Sequence, residues 1–126
     1  MIILVIAGQD IRELSIGLSK DGQIVESRTI VSSPETYLRD VAQALSDWKI
    51  ALDDLDAVAV VTGPGSFTSS RVSVMIANGI AFSKGIPVIG IPNVERVDFA
   101  SLTISTVLPF VDRFAVPIYD RPPHIT

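Results

Sequence analysis

The feature that most constrains the fold is a continuous apolar run at residues 57–61, which reads Ala-Val-Ala-Val-Val. A strand whose consecutive residues are all apolar has no face for solvent, and it is typical of a parallel sheet that is covered on both faces. An acid-rich connection at residues 52–56 precedes the run, and a glycine-rich turn at residues 62–71 follows it. The run therefore predicts a layered α/β structure built around a buried strand.

Three shorter strands are predicted before this run. Residues 2–6 are apolar and mostly β-branched, whereas Leu14, Ile16 and Leu18 alternate with polar or small residues. Residues 23–31 form the partner strand after a Lys-Asp-Gly turn signal at residues 20–22. Because the connections are tight, these strands predict an antiparallel meander.

Two helices are also predicted. Ser33 favours an N-cap and Pro34 suits the first helical position, so a first helix is expected from there to about Lys49. A second helix is expected from about residue 69 until Gly85 ends it, followed by another buried strand at residues 86–91. The order is β-β-β-α-β-α-β, and residues 115–119 are a candidate last strand at a sheet edge.

Composition excludes several functional classes. The 126 residues carry 14 carboxylates and 10 cations, a net charge of −4, so the chain lacks the broad basic face of proteins that bind tRNA or DNA directly. The absence of cysteine excludes thiolate nucleophiles and zinc ribbons, and a single histidine, His124, excludes a multi-histidine metal site. The apolar run at residues 2–7 is too short to span a membrane, and a cytoplasmic protein is expected.

The glycine-rich turn is a candidate anion site. It lies between a buried strand and a helix, where backbone amides and a helix N-terminus can receive an anion. The candidate ligands are Gly65, Ser66, Thr68 and Arg71. The turn has neither the lysine of a P-loop nor the spacing of a dinucleotide fingerprint. The alternative is structural, with the glycines permitting a sharp turn and a hydroxyl capping the helix.

The second helix has apolar or small residues around most of its circumference. One face can cover the sheet, and the other would form an exposed apolar patch unless something covers it. We therefore predict an interface with a partner protein, while residues 95–126 folding over the same surface is the alternative. The candidate interface residues are Val72, Met75, Ile76, Ala77, Gly79 and Ile80, together with Tyr37 and Trp48 of the first helix.

Catalytic constellations are scarce in this sequence. Asp53, Asp54 and Asp56 suggest a metal cluster, but acids in a short connection before a strand are most often a solvated turn. No Ser-His-Asp set can be assembled, because His124 lies near the end of the chain. We therefore assign no catalytic residue and predict neither an enzyme nor a bound metal.

The central motif resembles a known family. Residues 63–68, which read Gly-Pro-Gly-Ser-Phe-Thr, and Arg71 resemble the G-P-G-S-F-T-G-L-R signature of the TsaB (YeaZ) family. Residues 54–60 resemble the family's D-L-D-A-I-A-V strand entry, and residues 85–91 resemble the strand after its helix. Residues 115–122 are similar to its terminal P-x-Y-x-R segment. The resemblance covers nearly all of residues 1–94 and about the last dozen.

The resemblance implies an α/β fold of the actin-like ATPase and ribonuclease-H-like type, with a mixed five-stranded sheet and helices. It also implies a non-catalytic subunit of the machinery that makes threonylcarbamoyladenosine at position 37 of tRNA. Such subunits pair through their helices, in a homodimer or with the catalytic TsaD subunit. An ATPase, TsaE, joins the assembly, and tRNA is contacted only indirectly. No cofactor is implied for this subunit.

Two departures shape the expectations. The family's I-D-T-S after the first strand is replaced by Ala-Gly-Gln-Asp at residues 7–10, so we expect no tight nucleotide binding there, and Ser69 and Ser70 replace the family's Gly-Leu. The expected domains are an actin-like domain at residues 1–94 and, at residues 95–126, a shortened remnant of the second domain with a returning strand. Two alternatives remain: a small phosphate- or nucleotide-binding enzyme that uses the glycine-rich turn, and a homodimeric degenerate homologue outside the tRNA pathway.

Overall fold

The computed structural model describes residues 1–10, 12–63, 65, 67–93, 95–102 and 111–112. In chain order the strands and helices are β1 (Ile2–Ala7), β2 (Glu13–Lys20), β3 (Gln23–Val31), α1 (Tyr37–Asp47), β4 (Ala57–Gly63), α2 (Phe67–Lys84), β5 (Val88–Pro92) and β6 (Val111–Asp112). The predicted β-β-β-α-β-α-β order is confirmed. The two-residue β6 was not predicted.

The sheet has the strand order β3-β2-β1-β4-β5-β6. The first three strands form the predicted antiparallel meander, whereas β1 pairs in parallel with β4, and β4 pairs in parallel with β5. β6 adds two antiparallel residues beside Val88 and Ile89. The mixed five-stranded sheet implied by the family resemblance is confirmed, and β6 extends it at the β5 edge.

The two faces of the sheet are covered differently. Because side chains alternate along a strand, Leu4 and Ile6 face one layer while Ile3 and Val5 face the other. Both helices pack on the Leu4 face, where they form the larger hydrophobic core. On the opposite face a smaller core is completed by Phe99 and Leu102. All seven residues of β4 are buried, as expected for the most apolar strand.

The start of α1 corrects one expectation. Pro34 begins a 3-10 turn (Pro34–Thr36), and the α-helix itself begins only at Tyr37. Ser33 makes no side-chain capping bond. The neighbouring Ser32 instead forms side-chain hydrogen bonds at this turn. Its hydroxyl donates to the Asp40 carboxylate and bonds Thr36 Oγ1 at 2.9 Å. The prediction that the Ser33 side chain caps the helix is therefore wrong, although Ser33 does occupy the N-cap position of the turn.

Gly85 ends α2 as predicted. It has a φ of +65°, a left-handed conformation that favours glycine at a helix C-terminus. The Ile86 amide donates to the Ala81 carbonyl at 3.0 Å, so it completes the helix end and does not join the sheet. This explains why β5 begins at Val88 and not at residue 86.

Several sequence expectations lie outside the described residues: the terminal strand at 115–119, His124 and most of the predicted remnant domain at 95–126. Within the described part of the chain, no helix has the length and apolar character needed to cross a membrane.

Candidate functional site

The outward surface of α2 carries an apolar stripe. Met75 is 61% exposed and Phe82 is 73% exposed, and the exposed Gly79 lies between them. These three positions follow the spacing i, i+4, i+7, which places them on one side of the helix. A Cβ added at Gly79 would meet nothing within 4 Å, so the helix backbone is open to solvent there. We call Met75, Gly79 and Phe82 the α2 stripe.

An apolar groove of about 260 Å³ opens on the helix layer beside α1. Ile80 contributes from α2, and Leu38, which is 60% exposed, contributes from α1. Among the described lining residues Ser46 alone has a polar side chain, and the others are Val41, Ala42, Leu45, Ile50 and Leu52. We call this space the α1 groove. Together with the α2 stripe it gives the helix layer two apolar surfaces.

The structure divides the eight predicted interface residues. Met75 and Gly79 are exposed, whereas Val72, Ile76 and Trp48 are partly buried against the core of the chain itself. Tyr37 and Ala77 have no exposed surface, and Ile80 retains only 9% exposure in the core while also lining the α1 groove. The Tyr37 and Ala77 side chains are thus buried where the inner face of each helix packs on the sheet, and the interface stays a prediction for the exposed positions.

Two exposed residues complete this surface and were missed. Leu38 and Phe82 are large apolar side chains that point away from the core. For Phe82 the signal was present in the sequence, since it follows Met75 by seven residues, two helical turns. For Leu38 the helical spacing indicated a core position, because it precedes the buried Val41 and Leu45 by three and seven residues. The overlooked signal is that the apolar face of α1 is wider than the face needed to cover the sheet.

Tyr37 has a structural role at the first residue of α1. Its hydroxyl donates to the Glu13 carbonyl at 3.4 Å and so links α1 to the start of β2. Burial raises the pKa of the Tyr37 phenol, and the nearby negative charge of Asp10 acts in the same direction. The phenol therefore stays protonated at neutral pH and serves as a hydrogen-bond donor inside the fold.

The glycine-rich turn packs against the end of β1. A Cβ at Gly65 would lie 2.6 Å from the Gln9 carbonyl oxygen, so this close approach requires glycine. Thr68 and Arg71 are exposed on the first turns of α2, whereas Ser66 lies outside the described residues. The structure thus gives Gly65 a packing role. Binding of an anion by Gly65, Ser66, Thr68 and Arg71 stays a prediction.

Each acid of the 52–56 connection has its own partner. Asp53 Oδ1 accepts a hydrogen bond from Lys84 Nζ at 2.7 Å, which ties this connection to the C-terminus of α2. Asp54 accepts from the Ala51 amide at 2.9 Å, and Asp56 accepts from the Ile2 amide at 2.7 Å. Over the described residues, no three His, Cys, Asp or Glu side chains converge where they could hold a metal ion.

A polar network at the carboxyl end of β1 was not foreseen. Asn93 donates to Gln9 Oε1 at 3.1 Å, and Gln9 in turn donates to the Asn93 carbonyl at 3.2 Å. Arg96 Nη1 lies 3.3 Å from Asp10 Oδ1. The partners are more than 80 residues apart in the sequence, so no local spacing could have indicated that they meet.

The sequence of the chain is similar to those of known proteins. A family model described as "TsaD: tRNA N6-adenosine threonylcarbamoyltransferase" matches residues 32–112. The tRNA N6-adenosine threonylcarbamoyltransferase of Geobacter sp. (strain M21) is 36% identical over 102 residues, which are 66% of this chain and 30% of the relative. The enzyme of the same name from Syntrophus aciditrophicus (strain SB) is 32% identical over 91 residues, 72% of this chain and 27% of the relative.

Among solved structures, YeaZ from Pseudomonas aeruginosa superposes with a TM-score of 0.64 at 26% identity. The match covers 73% of this chain and 44% of the YeaZ chain. This chain thus spans about a third of the length of the curated relatives and under half of that YeaZ chain. Because the family model matches well over half of its residues, the chain belongs to the TsaB/TsaD family, as its glycine-rich turn predicted.

Proposed function

We propose that the chain is a non-catalytic scaffold subunit in the synthesis of threonylcarbamoyladenosine at position 37 of tRNA. It pairs through its helix layer, with a second copy of itself or with a TsaD-like catalytic subunit. The observation that carries this proposal is the α2 stripe, whose Met75 and Phe82 are both more than 60% exposed. The relatives named above connect the chain to this modification.

The α2 stripe is costly to leave in water. Burying a large apolar side chain stabilises a complex by roughly 1.5–3 kcal/mol, so Met75 and Phe82 together favour a covered state. Gly79 lies between them and presents no side chain, which lets a partner helix approach the α2 backbone closely. The α1 groove adds a concave apolar surface on the same layer. A helical partner surface fits both features.

The remaining partners follow from the charge and the family. With a net charge of −4, the chain is not built to neutralise phosphates, so tRNA is bound by its partners and reached only indirectly. A TsaE-like ATPase joins through the complex. The place of action is the cytoplasm, and no catalytic residue is assigned to this chain.

The test combines light scattering of the purified chain with co-purification of the TsaD protein from the same organism. Met75→Glu and Phe82→Glu place a charge in the α2 stripe, and in a symmetric dimer each substitution introduces two charges. Both variants should shift the chain toward monomer and weaken the complex with TsaD. Val31→Glu is the matched control, because Val31 is 89% exposed on the edge strand β3, away from the helix layer.

The outcomes separate the alternatives. A wild-type chain that is monomeric at tens of micromolar and does not bind TsaD would overturn the scaffold proposal. A stable homodimer without TsaD binding would favour the degenerate homologue outside the pathway. ATP binding at micromolar concentration in calorimetry, abolished by Arg71→Ala, would favour the phosphate-binding enzyme.

A further inference from the structure

A second cavity lies at the carboxyl end of β1, on the face of the sheet opposite the helices. Its volume is about 260 Å³. One wall is the β1–β2 connection, and the other is the segment at residues 93–102 that follows β5. The described lining includes Gln9, Glu13, Ser15, Asp98, Phe99 and Leu102. We call it the β1 cleft. In open α/β sheets, ligands bind outside the carboxyl ends of the strands.

The second wall of the β1 cleft is held in place by Asn93, which is only 7% exposed. Its Oδ1 accepts from the Val97 amide at 2.9 Å, while its Nδ2 donates to the Val97 carbonyl at 3.0 Å and to Gln9 Oε1 at 3.1 Å. One side chain therefore links Val97 on this wall to Gln9 on the opposite wall.

The floor of the β1 cleft combines apolar and hydroxyl groups. Phe99 packs so closely on β2 that a Cβ at Gly17 would lie 2.9 Å from its ring. Beside it, the hydroxyls of Ser15 and Thr29 are 2.8 Å apart on adjacent strands. Leu102, which is buried, completes the apolar part. A bound molecule thus meets an aromatic ring and two hydroxyls at the base.

The rim of the β1 cleft is acidic. Asp10, Glu13 and Asp98 bring three carboxylates, against the single guanidinium of Arg96. Arg96 is paired with Asp10. Asp98 begins a 3-10 turn (Phe99–Ser101) but its side chain makes no capping bond. Neither Glu13 nor Asp98 has an ion-pair partner among the described residues. Of the carboxylates in the described lining, those of Glu13 and Asp98 thus lie beside the apolar floor without an ion pair.

We propose that the β1 cleft binds a small molecule that carries a protonated amine on a short apolar body. The ammonium group interacts with Glu13 and Asp98 at the rim, and the apolar body packs on Phe99 and Leu102. Anionic ligands, including nucleotides, are repelled by the same carboxylates. This assigns the chain a ligand chemistry that is independent of its helix-layer partner.

The test uses three probes that share a phenethyl body and differ in the polar head group and its charge. Phenethylammonium carries the amine, 2-phenylethanol is neutral, and 3-phenylpropionate is anionic. Titrations of the 15N-labelled full chain should shift the amide signals of Gln9, Glu13, Val97 and Phe99 saturably with the ammonium probe. The alcohol should bind at least about fivefold more weakly, since it lacks the interaction with an exposed carboxylate. Higher salt should weaken only the ammonium probe.

Two substitutions test whether Glu13 and Asp98 interact with the ammonium group. Glu13→Gln and Asp98→Asn should each weaken phenethylammonium binding by about two- to fivefold while leaving the alcohol unchanged. Glu26→Gln is the matched control, because Glu26 is exposed on β3 and lies opposite Leu18, on the helix side of the sheet. Amide spectra of the unliganded variants verify that each is folded.

Three results would overturn the proposal: no saturable shifts with the ammonium probe, equal affinity for the alcohol, or equal shifts with 3-phenylpropionate or ATP. Repeating the titration on Phe82→Glu keeps the two proposals separate. The β1 cleft should still bind the amine when the helix layer can no longer pair, so failure of one proposal does not decide the other.

Discussion

The two helices lie on the same face of the same sheet, yet their outer surfaces differ. The outer side of α1 is mostly polar, with Arg39, Gln43 and Asp47 exposed, whereas the outer side of α2 carries the apolar α2 stripe. Their inner faces are alike, since Val41 and Ala77 are both fully buried. A helix that has only to cover a sheet needs one apolar face. The second apolar face of α2 is the surface that we propose a partner covers.

This comparison also shows what the two helices share. The C-terminus of each is tied down by one ion pair: Asp47 of α1 to Arg28 on β3, and Lys84 of α2 to Asp53. Arg28 additionally lies over the Trp48 ring, 5.1 Å from its centroid. The helices are therefore anchored in similar ways, and the difference between them is confined to their outward faces.

The largest expected effect is on the inner face of α2. Ala77→Arg introduces a charge at a position with no exposed surface and no room, which should cost about 4 kcal/mol or more in the free energy of unfolding. Ser83→Arg, at an exposed position on the same helix, should change it by less than about 0.5 kcal/mol. Urea denaturation monitored by circular dichroism measures both. Equal stability of the two variants would refute the assignment of the inner face.

The next prediction tests the difference between the outer faces directly. Phe82→Glu, in the α2 stripe, should weaken self-association at least about tenfold, because it replaces an exposed apolar contact with a charge. Arg39→Glu, on the polar outer side of α1, should change it by less than about twofold. Sedimentation equilibrium gives both dissociation constants. If the two variants weaken association equally, the outer surfaces of α1 and α2 do not differ in function.

Gly79→Ala should have two opposite effects. The new methyl group meets open space, so the higher helix propensity of alanine should stabilise the monomer by about 0.5–1 kcal/mol. In a complex the same methyl group would hold a close partner helix away, and association should weaken. Thermal unfolding of a dissociated background such as Phe82→Glu isolates the first effect, and light scattering of the single variant measures the second. Stabilisation with unchanged association would show that no partner approaches at Gly79.

The smallest expected effect concerns the two helix anchors and pH. Hydrogen bonds from Gln43 and Arg28 lower the pKa of Asp47, and the Lys84 ammonium lowers that of Asp53, in both cases from 3.8. A carboxylate with a lowered folded pKa contributes its stability fully above pH 3.8 and loses it as the pH falls through the lower folded value.

Asp47→Asn and Asp53→Asn should therefore lower the urea midpoint slightly at neutral pH, and the difference from wild type should shrink as the pH falls below 3.8. Ser83→Asn, at an exposed position of α2, is the control because it changes no charge, so its difference from wild type should not vary with pH. A difference that persists at the lowest pH would mean that the aspartates contribute by something other than their charge.

The elements of the fold could be predicted because their signals are local. The run at residues 57–61 indicated a fully buried strand, and Gly85 ended α2 where the sequence placed it. The errors concern side chains whose contacts are decided by other parts of the chain. Ser33 makes no side-chain capping bond, and Tyr37 is buried in the core between the helices and the sheet, where its hydroxyl donates to the Glu13 carbonyl.

The candidate sites could be predicted less well, since they depend on residues that are distant in the sequence. Apolar residues around α2 indicated a second exposed face but did not say which side chains face the sheet. Met75 faces out and Ala77 faces in, although both are apolar and only two residues apart. The β1 cleft was not predicted at all, because Gln9 and Asn93 meet only through the pairing of three strands.

The parallel pairing of β1 with β4 has a consequence for how the chain is made. During translation β2 and β3 emerge directly after β1 and cover one of its edges, but the other edge waits for a strand that is complete about 30 residues later. At roughly 5–20 residues per second, that interval lasts about 2–6 seconds. During this interval, the unpaired edge of β1 exposes its amide and carbonyl groups to any neighbouring nascent chain. The yield of folded protein should therefore respond more to synthesis speed across residues 32–56 than to the stability of the finished sheet.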